Sequence, residues 1–244
     1  MFKVTMLYER PMDMNAVHHE SVQSVVHDLR TPMTVIKAYL RMLMSGMMGD
    51  LTPAQMEVLQ RSMSPLDDLI LMTENLLQAA DLDKDASTLH CAETDLDHLL
   101  TDMIDFYQLP FKQRNMMIQR DGNTLGQKLY IDAFWMKRVL QNLIWNAYKF
   151  TPDRGRVNLE VNLVNGGIEI AVVDNGRGIP PESIQKIFHK NQQVSQVTDR
   201  KQGNGLGLWI CKRVMELHDG DVRVESSYGL GSRFVLFFPA NRIL

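Results

Sequence analysis

The segment Val26-His27-Asp28-Leu29-Arg30-Thr31-Pro32 brings together three side chains that could do nucleophilic and proton-transfer chemistry. His27 is a candidate nucleophile, Asp28 is a candidate base beside it, and Thr31 offers a hydroxyl four residues later. Residues four apart in a helix lie on one face, about 6 Å apart along the axis. The segment therefore predicts a reactive imidazole, an acid and a hydroxyl on one exposed helical ridge.

A second polar set occurs far along the chain, at Asn142, Asn146 and Lys149. The spacings of four and three put these side chains on one face of a predicted helix, where two amides and an ammonium suit an apolar core poorly. They suit a magnesium–triphosphate group, since Mg²⁺ takes oxygen ligands and a lysine neutralises phosphate charge. A solvated helix face is the alternative that this motif alone leaves open.

Two glycine-rich segments complete the candidate chemistry. The first, Asp174-Asn175-Gly176-Arg177-Gly178-Ile179, directly follows a predicted strand, and the second, Gly203-Asn204-Gly205-Leu206-Gly207, opens a predicted helix. Glycines allow tight turns and a close approach of the backbone to a ligand. Asp174 could accept a hydrogen bond from an exocyclic amine, and backbone N–H groups at the helix start form an anion site.

The elements that would carry His27 are two long helices between residues 18 and 81. Apolar residues recur there at alternating spacings of three and four, which is typical of coiled-coil helices. In the first helix they are Val22, Val25, Leu29, Pro32, Ile36, Tyr39 and Leu43. In the second helix they are Met56, Leu59, Met63, Leu66, Ile70, Thr73, Leu77 and Ala80.

Gly46 and Gly49 interrupt this pattern, and Thr52, Pro53 and Gln55 form an N-terminal capping signal for the second helix. The sequence therefore predicts an antiparallel hairpin. Each helix of a hairpin buries one stripe, so we expect a homodimer that forms a four-helix bundle. A proline inside a helix removes a backbone donor, and Pro32 therefore predicts local loosening just past His27.

The polar segment 82–92 predicts a hinge, and beyond it helices and strands mix. Predicted helices are Leu96–Phe111, Asp132–Phe150 and Leu206–His218. Predicted strands are Met116–Gln119, Lys128–Ile131, Val157–Val164, Gly167–Val173, Val222–Glu225 and Ser232–Phe238. Asn165-Gly166 predicts a type I′ hairpin turn. The fold class expected is α+β multidomain, with an N-terminal helical hairpin followed by a two-layer α/β sandwich.

Composition narrows the classes of partner. A formal net charge of −3 at pH 7 and a sequence pI near 6.2 argue against nucleic acid as the main partner. No run of about 18 apolar residues occurs, so we expect no membrane contact within this segment. The N-terminus lacks a signal-peptide pattern, and Cys91 and Cys211 are far apart. We therefore expect a cytoplasmic protein with two buried, reduced thiols.

The order of the four motifs, His-Asp-x-x-Thr-Pro, Asn-x-x-x-Asn-Ala-x-Lys, Asp-x-Gly-x-Gly and Gly-x-Gly-x-Gly-Leu, resembles the sensor histidine kinases of two-component signalling. The resemblance covers the chain from about residue 18. It implies a lead-in at 1–17, a dimerisation and phosphotransfer hairpin at 18–81, a hinge at 82–92, and a catalytic ATP-binding domain at 93–244. That domain would have the fold shared with gyrase, Hsp90 and MutL.

The resemblance implies roles for individual residues. His27 would accept the phosphoryl group, with Asp28 as its acid neighbour, and Thr31 would orient water for removing phosphate from a regulator. Asn146 would bind Mg²⁺, Asn142 and Lys149 would lie near the ATP phosphates, and Asp174 would hold the adenine amine. The pocket and its lid would be shaped by Gly176, Gly178, Ile179, Gly203, Gly205, Leu206 and Gly207. This chain has Gln193 where the family commonly has a basic residue, and Arg200 and Lys201 near the second glycine segment would substitute for it as phosphate contacts. The implied partner is the receiver domain of a response regulator.

Two departures leave alternatives open. The segment Ile187–Gln193 keeps one aromatic residue of the family's lid motif, Phe188, but has Asn191 where a second is usual. A degenerate kinase that acts as a dimeric scaffold is therefore the alternative function, and an ATPase or serine kinase that shares only the nucleotide fold is a third. About 26 residues precede His27, so the input would come from a longer parent chain or from a partner.

Overall fold

The computed structural model describes residues 14–82, 89–122, 126–190, 192 and 205–244, with the side chains of residues 14–23 and of Ser64 excepted. The chain divides into two compact units, Met1–Lys84 and Asp85–Leu244. Arg200, Lys201 and Gly203, which the sequence predicts to lie in the nucleotide lid, fall outside the described residues, as does most of the predicted hinge.

The first unit is a pair of antiparallel helices, α1 (Met14–Met44) and α2 (Pro53–Leu82). Ion pairs join them, since Lys37 Nζ lies 2.5 Å from Asp67 Oδ1 and Arg30 lies 3.5 Å from Glu74. Gly46 and Gly49 have φ of +77° and +111° in the turn between the helices, a region that glycine reaches at no steric cost. The predicted hairpin is therefore present.

The start of α2 follows the capping pattern that the sequence predicts. The Thr52 backbone N–H donates to Gln55 Oε1 at 2.9 Å, and the Gln55 backbone N–H donates to Thr52 Oγ1 at 3.3 Å. This reciprocal pair satisfies two N–H groups that would otherwise lack a partner at the helix start. At the other predicted irregularity, α1 continues as one helix through Pro32.

The apolar stripe predicted on α1 is not the stripe that packs on α2. Val25, Leu29 and Ile36 are exposed, whereas Val26 is buried and Met33 is half-buried. The reason is that 3.6 residues per turn allows two neighbouring stripes, offset by one residue, along the same helix. One stripe of α1 contacts α2, and most of the neighbouring stripe that the sequence predicts is exposed on the surface of the hairpin.

The second unit contains a five-stranded mixed sheet and a separate two-stranded ladder. The strands are β1 (Ala92–Asp95), β2 (Met117–Asp121), β3 (Lys128–Ile131), β4 (Arg156–Val164), β5 (Gly167–Asp174), β6 (Asp221–Ser227) and β7 (Gly231–Pro239). The large sheet has the order β2-β4-β5-β7-β6, and only β2 and β4 are parallel. The small ladder pairs β1 with β3.

Helices α3 (Leu96–Gln113), α4 (Ala133–Phe150) and α6 (Gly207–Leu217) form the second layer, and α5 (Pro181–Ile184) is a single turn. Strand alternation directs one row of apolar side chains from each strand toward these helices. Fully buried members of this core include Leu140, Leu143, Leu159, Ile170 and Leu236. The two-layer α/β arrangement expected from the sequence is confirmed.

Three local predictions were wrong. Strand β1 was not predicted, and it begins at Ala92, the last residue of the predicted hinge. The sequence gives no local sign of this strand, because it forms by pairing with the distant β3. The Asn165-Gly166 turn is not type I′, which needs positive φ at both residues, since only Gly166 has it (+92°). Cys91 is half-buried rather than buried, because it lies in the entry segment, whereas Cys211 is buried in the core.

Candidate functional site

The His27 side chain points to solvent from the middle of α1. Its side chain is 80% exposed and that of Asp28 is 76% exposed, with His27 Nδ1 3.5 Å from Asp28 Oδ1. This contact is at the long limit of a hydrogen bond. Because it engages Nδ1, it leaves Nε2 as the nitrogen directed toward an incoming reactant.

Thr31 lies on the same ridge, as its spacing predicts. Its hydroxyl donates to the His27 backbone carbonyl at 3.3 Å, and the Thr34 hydroxyl likewise donates to the Arg30 carbonyl at 2.9 Å. Both bonds follow the back-bonding pattern of helical threonines, here on either side of Pro32. The Thr31 oxygen keeps an accepting lone pair, so the side chain can still orient a water molecule.

In the second unit, α4 carries the polar residues Asn142, Asn146 and Lys149, which differ in their burial. Asn142 and Lys149 are buried and Asn146 is half-buried. Helix α4 packs on α6, where the Asn142 side chain lies beside Cys211. Burial raises the pKa of the Cys211 thiol, and Asn142 acts in the opposite direction. Asn142 therefore lies deeper than a solvated helix face would place it.

Asp174 is the last residue of β5, and its side chain lies on the face of the sheet that packs on the helices. Polar side chains of the next two strands in the sheet lie next to it on the same face. Asp174 pairs with Ser232 on β7, and Ser232 pairs with Ser226 on β6. The two serine hydroxyls are 3.0 Å apart, and the Ser226 hydroxyl accepts from the Ile179 N–H at 2.9 Å. The register of three strands thus gathers one carboxyl and two hydroxyls beside the first glycine-rich loop.

The Asp174 carboxyl is 9% exposed. Burial raises its pKa from 3.8 to about 6, and the backbone N–H groups of Gly176 and Ser232 oppose that rise. The Gly176 bond is 2.8 Å long. At neutral pH the group is therefore an ionised acceptor, fixed in place by backbone donors but poorly solvated, and a ligand N–H would relieve that cost.

The glycines beside Asp174 are required by contact distances. A Cβ on Gly176 would lie 2.6 Å from the Phe150 carbonyl oxygen, and one on Gly178, which has φ of +67°, would lie 2.1 Å from the Ser227 oxygen. The loop is further held by the Arg177 guanidinium, 4.3 Å from the centre of the Phe150 ring. The first glycine motif is therefore a packed turn between α4 and the β6–β7 hairpin.

The two ends of the predicted lid are anchored in the second unit. Before it, Ile187 is buried and the Phe188 ring contacts Phe234 edge to face at 6.5 Å. After it, Gly205 has φ of +69°, Leu206 is buried, and α6 begins at Gly207 without a side-chain cap. Leu206, the residue before α6, makes no side-chain capping bond, and the N–H groups of the first turn are oriented to bind an anion.

An open cavity of about 310 Å³ lies on a different surface, between the segment before the lid and α6. Its walls are Phe188, His189, Lys190, Trp209, Lys212, Arg213 and Glu216. None of the residues that the sequence predicts to bind nucleotide lines this cavity. Lys190 already lies over the Trp209 ring at 4.7 Å.

Several features of the second unit fit a nucleotide with its cation. The buried Thr151 Oγ1 atom has no hydrogen-bond partner within the described residues. The Asp174 carboxyl is buried beside the packed glycine turn, and a ligand N–H could stabilise its charged form. No cluster of three His, Cys, Asp or Glu side chains suited to a metal occurs in the described ranges. The Asn146 amide oxygen is of the type that Mg²⁺ takes as a ligand.

Ser226, Ser232 and Thr151 were missed by the sequence analysis. A signal for Ser232 is present: it continues the alternating set Phe234, Leu236 and Phe238, so a polar residue stands on an apolar face. Ser226 has no such signal, because its place depends on the pairing of β6 with β7. No helix in the described part of the chain is long and apolar enough to cross a membrane.

Comparison with known families assigns both units. Residues 18–85 match the His Kinase A (phospho-acceptor) domain, and residues 131–242 match the histidine kinase-, DNA gyrase B- and HSP90-like ATPase domain. The first match contains His27, and the second contains α4 and both glycine-rich segments. The two matches follow each other in the order that the motifs predict.

Curated relatives match over nearly the whole chain. The sensor histidine kinase WalK of Bacillus subtilis is 30% identical over 93% of this chain and 37% of its own length. The alginate biosynthesis sensor protein KinB of Pseudomonas aeruginosa is 29% identical over 91% and 37%, respectively. The adaptive-response sensory kinase SasA of a Synechococcus species is 28% identical over 90% and 58%. The chain thus spans between 37% and 58% of the length of these relatives.

Solved structures agree with the fold. Full-length ShkA in complex with AMPPNP superposes with a TM-score of 0.65 at 27% identity, covering 91% of this chain and 46% of ShkA. The nucleotide-free catalytic domain of the histidine kinase ThkA superposes with a TM-score of 0.54 at 24% identity, covering 62% of this chain and 95% of that domain. The ThkA likeness concerns the fold alone.

Proposed function

The chain belongs to the sensor histidine kinases of two-component signalling, and on that premise we propose that it phosphorylates its own His27 from ATP and passes the phosphoryl group to an aspartate of a response regulator. The observation that carries the proposal is the 80% exposed His27 imidazole, with Asp28 at Nδ1 and Nε2 directed outward. An imidazole so placed can meet a phosphoryl donor without unfolding any part of α1.

The ATP-binding unit would recognise the nucleotide at both of its ends. Asp174 accepts a hydrogen bond from the adenine amine, and the Ser226 and Ser232 hydroxyls lie beside it. Asn146 contributes its amide oxygen to Mg²⁺, while Asn142, Lys149 and the first turn of α6 lie at the phosphates. When bound, Mg²⁺ and ATP supply a charge-neutralised γ-phosphoryl group with ADP as its leaving group.

His27 would do the chemistry through Nε2. Its lone pair forms a bond to the γ-phosphorus, the bond from that phosphorus to the β,γ-bridging oxygen breaks, and ADP leaves with the electron pair. The ring becomes positively charged with its proton on Nδ1. Asp28 stabilises this charge and can take the Nδ1 proton, so the product is a neutral-ring phosphohistidine.

The partner that receives the phosphoryl group would be a receiver domain. Its aspartate oxygen forms a bond to the phosphorus, the bond from phosphorus to Nε2 breaks with its electron pair left on Nε2, and Asp28 returns the proton to Nδ1. Thr31 would serve the reverse task, because its hydroxyl can orient a water molecule toward a phosphoaspartate docked at the same ridge.

The hairpin would work as a homodimer. Besides Val25, Leu29 and Ile36, the α1 side chain of Tyr39 is exposed, as is Leu69 on α2. Adjacent exposed apolar residues along a helix mark a surface that packs on another one. Two copies facing through these stripes would form a four-helix bundle and leave His27 on its outside.

Incubation with γ-labelled ATP tests the function. We expect acid-labile, alkali-stable label on the unmodified chain and none on His27→Gln, with ATP affinity unchanged in both. His98→Gln is the matched control, since His98 is also on a helix, is 79% exposed and lies 3.8 Å from an aspartate.

Two results would contradict the proposal. Tight ATP binding without any label would instead support a kinase-like scaffold. Acid-stable label, or phosphate release that persists in His27→Gln, would instead support an ATPase or a hydroxyl-directed kinase.

A further inference from the structure

Asp132 joins three parts of the ATP-binding unit. Its Oδ1 atom accepts from the Phe134 and Trp135 N–H groups at 3.0 and 3.2 Å and so caps the start of α4. Its Oδ2 atom accepts from the His90 N–H at 2.8 Å, and its own N–H donates to His218 Nε2 at 3.0 Å. One buried residue thus bonds the entry segment, α4 and the residue that follows α6.

His218 is fully buried and holds one tautomer. Its Nδ1 lies 2.7 Å from the Val214 carbonyl oxygen, which can only accept, so Nδ1 carries the proton. Nε2 must then be the unprotonated acceptor for the Asp132 N–H. Burial lowers the pKa of His218, and Arg242 lowers it further, while the nearby Val214 carbonyl, Asp132 and Asp219 raise it.

These contacts lie at the opposite ends of the two helices from the proposed nucleotide contacts. Helix α4 begins directly after Asp132 and carries Asn146 in its last turns, while α6 begins at Gly207 and ends directly before His218. The Arg242 guanidinium adds two hydrogen bonds near these contacts. It donates to Asp219 Oδ2 at 2.7 Å and to the Tyr130 carbonyl at 3.3 Å. A packed helix moves as a rigid element, so fixing one end also fixes the other.

We propose that Asp132 and His218 are positioning residues for nucleotide binding, forming a latch that holds α4, α6 and the entry segment in the arrangement that ATP requires. The inference rests on the proposed function, because it assigns the latch to the same nucleotide site. A latch of this kind transmits a displacement of the entry segment at His90 to the residues that hold the phosphates.

Two amide substitutions separate the bonds of His218. The His218→Asn amide reaches the place of Nδ1 only, so it keeps the bond to Val214 and loses the acceptor for the Asp132 N–H. The longer His218→Gln side chain places its carbonyl oxygen near Nε2 and keeps that acceptor. We expect the His218→Asn variant to bind ATP on the order of tenfold more weakly, and the His218→Gln variant less than about twofold more weakly. Titration calorimetry on the full chain measures both affinities.

The pH profile provides a readout that a purely structural role would not alter. Protonated His218 cannot accept from Asp132, so ATP affinity of the unmodified chain falls as the pH drops below the ordinary histidine range, on top of the loss due to Asp174. The His218→Gln chain retains only the Asp174 component and shows the shallower fall. Identical profiles for the two chains would overturn the proposal.

Thermal unfolding shows whether each His218 variant is folded. A second pair of variants, at His90, tests the latch without changing His218. His90→Pro removes the N–H that Asp132 accepts, whereas His90→Ala keeps it, so only the proline chain should bind ATP less tightly. A folded His218→Asn chain with unchanged affinity, or equal losses in His90→Pro and His90→Ala, refutes the latch. An unmodified chain that binds no ATP refutes the proposed function itself.

Discussion

His27 and Asp174, the two groups on which the proposed reaction depends, have opposite environments. The His27 side chain is 80% exposed, and its contact with Asp28 is 3.5 Å long. Asp174 is 9% exposed and receives a 2.8 Å bond from Gly176 inside a glycine turn that no other residue fits. The proposed nucleophile is exposed to solvent, while the proposed nucleotide-binding carboxyl is buried and held by backbone donors.

The contrast assigns different tasks to the two units. A buried carboxylate costs folding free energy until a ligand satisfies it, so that cost is recovered only on binding. An exposed imidazole costs nothing to the fold and can be approached by ATP at one time and by a receiver domain at another. Stability and function should therefore oppose each other at Asp174 and be independent at His27.

The largest effect should come from Asp174→Asn. The amide cannot provide the charged acceptor, and a hydrogen bond to a charged group contributes about 1.5–3 kcal/mol, so ATP affinity should fall about 10- to 100-fold. The folded chain should become more stable by up to about 3 kcal/mol, since the raised pKa of Asp174 corresponds to about 1.4 kcal/mol per unit. Calorimetry and denaturant unfolding measure the two effects.

Asp221→Asn, at an exposed carboxylate on β6, is the matched control and should change neither quantity. A loss of stability in Asp174→Asn without a loss of affinity would reverse the contrast between the two sites.

The pH dependence gives the next largest effect. The folded pKa of Asp174, about 6, lies above its ordinary value of 3.8. The empty chain therefore loses stability at this group as pH rises from about 4 to above 6, because its folded state binds the proton more tightly. ATP needs the ionised form, so its affinity should fall about tenfold per pH unit below 6. The Asp174 component should vanish in Asp174→Asn, which leaves the smaller fall that the latch predicts for His218. An unchanged slope in that variant would assign the pH dependence to another group.

Glycine substitutions probe the rigidity of the nucleotide loop. Gly178→Ala would place a methyl group 2.1 Å from the Ser227 oxygen at positive φ, and we expect a loss of about 2–5 kcal/mol in unfolding free energy. Gly166→Ala is the control, since its φ is also positive but nothing lies within 4 Å. That variant should lose about 1 kcal/mol. Equal losses would show that backbone strain alone, and not packing, holds the loop.

The smallest effect on labelling should come from Thr31→Ala. The substitution removes one exposed side-chain bond to the His27 carbonyl, so labelling from ATP should change by less than about twofold. Dephosphorylation of a labelled receiver domain should be lost, because the hydroxyl would orient the attacking water. Time courses of label on the chain and on the receiver separate the two activities, and parallel losses would refute the separate role of Thr31.

Sequence patterns predicted the features that depend on neighbours along the chain. Thr52 and Gln55 are three residues apart, so their reciprocal capping bonds could be read directly. The helices and most strands followed from periodicity in the same way. The α1 stripe shows the limit of this reasoning, because periodicity gives the spacing of a stripe but not which of two adjacent stripes faces α2.

The candidate site depended more on pairing between distant segments. Asp174 was predicted from its place before the glycines, yet its neighbours Ser226 and Ser232 follow from strand register. The latch at Asp132 and His218 joins residues 86 positions apart and had no local signal. Such contacts depend on tertiary packing, which a single sequence does not reveal.

The most direct test of the central claim is ³¹P nuclear magnetic resonance of the full chain after incubation with Mg²⁺ and ATP. We expect one phosphoramidate resonance, from phosphorus bonded to Nε2 of an exposed imidazole, which is absent in His27→Gln and abolished by mild acid. A phosphate-ester resonance, or a phosphoramidate signal that survives His27→Gln, would contradict it.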